Sequence, residues 1–125
     1  MARLFWCFAC LSGAVAVGLG AFAAHGLKST LSSYSLAVFQ TGVQYQMLHA
    51  LALLVAAYAA VREKSVFLHV TGWCWMLGTL LFSGSLYALA FVSLGAGALL
   101  TPLGGLAFII GWISLAIFGW RHARE

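Results

Sequence analysis

Aspartate is missing from this chain altogether, and its acidic residues are limited to Glu63 and Glu125. Six Lys and Arg bring the charged share to only 6% of 125 residues, against 64% hydrophobic. A soluble globule of this length could not cover its surface with so little charge. With a mean hydropathy of +1.05, the composition is that of a membrane protein. The formal charge of +4 gives no basic stripe, because the cations sit at chain ends and turns, so nucleic acid is not an expected partner. Cysteine is scarce and odd in number: Cys7, Cys10 and Cys74 all fall inside apolar runs, which indicates no disulfide framework. Cys7 and Cys10 spell C-x-x-C without further ligands nearby, and His25, His49, His69 and His122 have no metal-site spacing. No metal and no cofactor is expected. Acid scarcity also weighs against a proton-coupled carrier, which usually keeps a carboxylate inside the membrane.

Four apolar runs remain, each long enough to cross a hydrocarbon core of ~30 Å, which takes about 20 residues. They are Leu4 to Ala24, Leu36 to Val61, Val66 to Val92 and Leu100 to Trp120. The fold class expected is all-α: a polytopic membrane protein, one four-transmembrane-helix bundle over residues 1–125. The first run resembles a signal peptide, with Arg3 in front and "AFA" at Ala21 to Ala23, but its apolar part exceeds the usual ~7–15 residues, so a retained helix is expected. Arg3, Arg62, Lys64, Arg121 and Arg124 share one side of a four-span chain and Lys28 stands alone on the other. The positive-inside rule then places both termini in the cytoplasm. Small residues recur four apart in the first helix, as Ala9 and Gly13, Ala14 and Gly18, Ala16 and Gly20. Such ladders let backbones approach closely, within one chain or between copies.

The polar residues of the spans are few and grouped. "TGVQYQMLHA", Thr41 to Ala50, carries Gln44, Tyr45, Gln46 and His49. At about 100° per residue, Tyr45 and His49 share a face with Gly42, Ala52 and Ala56, which is expected to turn inward. Gln40 and Gln44 share another edge, and Gln46 lies on neither. His49 lies near the middle of its run; the residues before it approach the outer surface. In the third run Gly72, Met76, Thr79, Ser83 and Tyr87 follow three- and four-residue steps. The fourth begins with "TPLGG", where Pro102 suits a first helical turn and Gly104 and Gly105 permit close approach. Polar and glycine-rich features thus gather in the outer half, while the inner half is expected to be mostly apolar. A polar group in hydrocarbon is costly unless partnered, so these residues are expected to bond one another or a ligand.

"GAFAAHGL", "FQTGVQYQMLHALALL", "LFSGSLYAL" and "TPLGGLAFIIGW" occur in that order between about Gly18 and Trp112. Together they resemble the YgdD/YwdK-like family of small inner-membrane proteins, domain of unknown function 423, to which animal transmembrane protein 256 is related. The family commonly has Gly where this chain has Ala23. The resemblance implies a four-helix multipass protein of the bacterial inner membrane, implies no reaction, and places His25, Gly26, Tyr45, Gln46, His49, Ser83, Gly84, Ser85, Tyr87, Pro102, Gly104, Gly105 and Trp112 in the family's signature.

The candidate binding or structural cluster is therefore His25, Gln44, Tyr45, Gln46, His49, Ser83, Ser85, Tyr87 and Thr101. Gly13, Gly18, Gly20, Gly84, Gly104 and Gly105 are the candidate helix-packing residues. The function expected is non-catalytic: an accessory or assembly protein, or a binder of lipid-like molecules, with membrane lipids, a membrane-protein complex or a second copy as partners. A small transporter or channel for an uncharged solute is the alternative. An intramembrane enzyme with Ser83 or Ser85 as nucleophile and His49 as base is a further one, although no carboxylate is placed to orient that base. Interhelical hydrogen bonding alone accounts for the same residues without any ligand.

Overall fold

A computed structural model describes residues 1–93 and 95–123. Arg124 and Glu125, placed above on the cytoplasmic side, lie outside the described residues, as does Leu94 of the Gly-rich connection. The described chain is helical: α1 is Ala2–His25, α2 is Ser33–Arg62, α3 is Val66–Gly78, α4 is Gly84–Phe91 and α5 is Leu100–His122. A π turn, Thr79–Ser83, joins α3 to α4, so the third span is one rod with a widened turn inside it. A short 3-10 helix, Gly95–Leu99, leads into α5. Four helices, Ala2–His25, Ser33–Arg62, Val66–Phe91 and Gly95–His122, are long and apolar enough to cross a membrane.

Local chemistry sets the ends. The Ser32 hydroxyl accepts from the Ser35 amide at 3.1 Å and so caps α2. Ser65 caps α3 in the same way, accepting from Phe67 at 3.3 Å after the extended residue Glu63 ends α2. Gly95, at φ +52°, takes the left-handed conformation that suits glycine where the chain turns toward α5.

The helices run alternately up and down. α1 lies along α2, α5 lies along the third span, and α2 packs on that span as the central pair. One apolar cluster, built on Phe5, Leu53, Trp75, Met76 and Phe108, fills the half toward the chain ends. A second, Ala23, Leu27, Phe39 and Ala90, closes the half toward the Lys28 turn. The grouped polar side chains lie between these two clusters.

Close approach depends on glycine at a few places. A Cβ on Gly104 would meet the backbone of Phe82, and one on Gly111 would meet the Trp75 indole. Gly105 touches the Phe82 ring, while Gly13 and Gly20 face Ala50 and Val43 of α2. Gly18 and Gly84, expected to pack helices, have open space beside them, and the tight sites at Gly78 and Gly111 were not anticipated. The Ala14 and Gly18 ladder turns outward because α1 buries the face of Phe5, Ala9, Ser12, Ala16 and Ala23 instead.

Candidate functional site

The polar layer begins on α2. Its buried face carries Gly42, Gln46, His49, Leu53 and Ala56, about one residue round from the face that the helical wheel selects. Gln46 is therefore inside and Tyr45 lies at the rim, 42% exposed. The reason is the central position of α2: packed by α1 and the third span together, it buries a wider arc than a single small-residue seam. Tyr45 lays its ring against Phe82 and Phe108. Gln44 and His25 are exposed and take no part in the cluster.

The inward polar groups of α2 and the third span are then matched. The Gln46 amide donates to the Ser12 carbonyl of α1 at 2.9 Å, and its oxygen accepts from the Tyr87 hydroxyl at 2.5 Å. One side chain thereby ties three spans together. Ser83 donates to the Gly42 carbonyl at 2.7 Å. Ser85 donates to Phe82 O at 2.9 Å and meets the Thr101 hydroxyl at the start of α5. His49 Nδ1 pairs with the Tyr45 carbonyl at 2.8 Å, while Nε2 accepts from the Trp112 indole at 3.1 Å. A carbonyl can only accept, so Nδ1 carries the ring proton and both nitrogens are engaged. The ring also stacks on Phe108, with centroids 3.5 Å apart. Removing the Gln46 amide leaves the Tyr87 hydroxyl without its acceptor, so Gln46→Leu should cost about 1–3 kcal/mol and lower the melting temperature in detergent. Gln40→Leu, at an exposed position, is the control.

The layer does not bring a nucleophile to a base. Both serines spend their protons on other partners, Ser83 on Gly42 and Ser85 on Phe82, and His49 has its ring nitrogens on Tyr45 and Trp112. Among the described residues no three His, Cys or acidic side chains gather as a metal site. The half toward the chain ends is also less apolar in its contacts than expected. Thr71 donates to Gly111 O at 3.1 Å, Trp75 to Phe108 O at 3.2 Å and Ser114 to Phe67 O at 2.8 Å, stitching α3 to α5. The regular 104, 108, 111, 114 spacing on α5 was the available signal for this seam.

Next to the layer, α1 and the third span part to leave a crevice of about 430 Å³. Leu11, Val15, Leu80 and Gly84 at its lip are exposed, so it opens sideways on the surface of the bundle. Phe8, Leu11, Val15 and Leu19 form an apolar wall, and Ser12, Gln46, Thr79 and Tyr87 supply the polar part of the lining. The π turn contributes to this opening through Thr79 and Leu80. Ser12 is the one described residue whose buried side-chain oxygen has no hydrogen-bond partner. Ser12 belongs to none of the small-residue pairs read from the sequence, and nothing there singles it out.

Four long apolar helices around a hydrogen-bonded layer define a small helical membrane protein. The chain belongs to the family described as protein of unknown function DUF423, whose model matches residues 19–105. It is 50% identical over 106 residues to a UPF0382 membrane protein of Haemophilus influenzae, covering 85% of each chain. It is 43% identical to the UPF0382 membrane protein YwdK of Bacillus subtilis, over 96% of this chain and 98% of that one. Identity to the UPF0382 inner membrane protein YgdD of Escherichia coli is 41%, over 98% and 94%. No solved structure matches.

Proposed function

We propose that this protein is a non-catalytic component of the cell inner (plasma) membrane that holds a lipid-like molecule in the crevice between α1 and the third span. Arg3, Arg62, Lys64 and Arg121 at one end of the bundle, against Lys28 at the other, support cytoplasmic N and C termini. The YgdD relative named as an inner membrane protein supports the compartment. The observation that carries the reading is the crevice itself: about 430 Å³, mostly apolar, with the unpartnered Ser12 hydroxyl beside it. That volume lies within the ~300–1,000 Å³ of ligand pockets. Open to hydrocarbon and lined almost wholly by apolar surface, it favours an apolar chain. Phospholipid headgroups sit at the membrane surface, so a wholly embedded, largely apolar molecule suits the site best.

Gly84 gives a clean test because a Cβ there meets nothing within 4 Å. Gly84→Phe should fill the crevice without disturbing the bundle. Native mass spectrometry from mild detergent is expected to show a retained lipid-like molecule on the wild type and its loss from Gly84→Phe. Equal retention by wild type and Gly84→Phe, both folded, would remove the basis for this reading.

A further inference from the structure

The side of α2 that turns away from the bundle is not an ordinary lipid-facing surface. Gln44, Leu48, Leu51, Val55 and Tyr58 follow alternating steps of four and three, the heptad spacing of a helix-to-helix seam. All are exposed, Leu48 at 52%, Leu51 at 58%, Val55 at 63% and Tyr58 at 52%. Gln44 is the amide among them, and Gln40, one turn earlier on the same edge, is exposed as well. Gln44 stands within about 8 Å of the level of His49 along the helix, at 1.5 Å per residue, between the middle of the span and its outer end. Its amide has no hydrogen-bond partner among the described residues. Lipid tails cannot supply one, and an amide left unpaired against them is unfavourable.

We propose that a second copy of this chain covers this stripe, with Gln44 of each copy bonded to Gln44 of the other across a twofold axis along the membrane normal. The amide carries both donors and acceptors, so two of them satisfy each other reciprocally. Copies that insert in the same orientation bring the same residue to the same depth, which is the condition for that pairing. The hydrocarbon part of the stripe bears no charge, so nothing in it repels an identical copy. Arg62 at its end is drawn back over its own Tyr58 ring, 5.1 Å from the centroid. A polar residue in an apolar heptad seam helps to fix register, and side-chain hydrogen bonds help to join helices in membranes. The interface is isologous and closes on itself. It uses the exposed side of α2, whereas the crevice lies between α1 and the third span, so either can fail without the other.

Single cysteines placed in native membranes test the arrangement. With Cys7, Cys10 and Cys74 changed to Ala, cysteine at 48, 51 or 55 should give covalent homodimers on oxidation. Cysteine at Val17 of α1 or Ile113 of α5, which are as exposed at 63% and 56%, should not. Equal cross-linking at the control positions, no dimer from the seam, or a seam adduct with a different protein would each overturn the proposal. Gln44→Leu keeps the seam apolar and changes no contact within the monomer. It should weaken self-association in bilayers by roughly five- to tenfold, the factor that two interhelical hydrogen bonds of average measured strength supply. Unchanged association, read by dilution with energy transfer between labelled copies, would also overturn it.

Discussion

Gly104→Ala is expected to lower the melting temperature in detergent sharply, whereas Gly84→Ala on the facing span should leave it unchanged or raise it. At position 104 the added carbon would lie 2.8 Å from both Cα and Cβ of Phe82, and closer still to its amide nitrogen. A crowded side chain can rotate away, but a backbone cannot. Relief requires α5 to move off the third span at the π turn that contains Phe82, which also pulls Thr101 from Ser85 and Trp112 from His49. Overpacking of this kind costs about 1–3 kcal/mol and sometimes more. At Gly84 nothing lies within 4 Å, and Ala replaces Gly in a helix with a gain of up to about 1 kcal/mol. Thermal unfolding of the two variants in one detergent separates close approach from helix propensity. Equal melting temperatures would show that α5 and the third span are not in contact at this glycine.

The contrast between these two glycines marks what a sequence can and cannot disclose. The four apolar runs were legible because hydrocarbon imposes length and composition on every span. Ser83 and Tyr87 could be placed inward from their three- and four-residue steps, and Ser85 and Thr101 were singled out with them. Which side of α2 is inside was harder: Tyr45 and Gln46 are adjacent, both signatures of the same motif, and only the position of α1 decides that Gln46 is enclosed. A helix in lipid shows weak amphipathic contrast, since its outer face is apolar too, so a wheel drawn on small residues drifts by about one position. The π turn was illegible for a related reason. No proline lies within Thr79–Ser83 to announce it, and Thr79 simply continues the stripe. Ser12 illustrates the remaining gap: its significance rests on an unmatched oxygen beside an opening, which exists only once three spans are assembled.

The histidine at the centre of the layer yields the second large effect. His49→Phe preserves a ring to stack on Phe108 but leaves the Trp112 indole N–H without its acceptor. Trp112→Phe does the reverse, leaving the Nε2 lone pair unmatched. Each single change should cost about 1–3 kcal/mol, the penalty for a desolvated polar group that loses its partner. The double change removes donor and acceptor together, so its cost should fall short of the sum by about 0.5–1.5 kcal/mol. Additive effects would mean that the two rings do not share a bond. The interaction bears on function as well as stability. A proton relay or general base needs a ring nitrogen that is free to bind and release a proton, and here Nδ1 is held by the Tyr45 carbonyl and Nε2 by the indole. A positive coupling energy therefore ties His49 to the joining of α2 with α5. The proposed lipid-like molecule would then lie in the neighbouring crevice and not on His49.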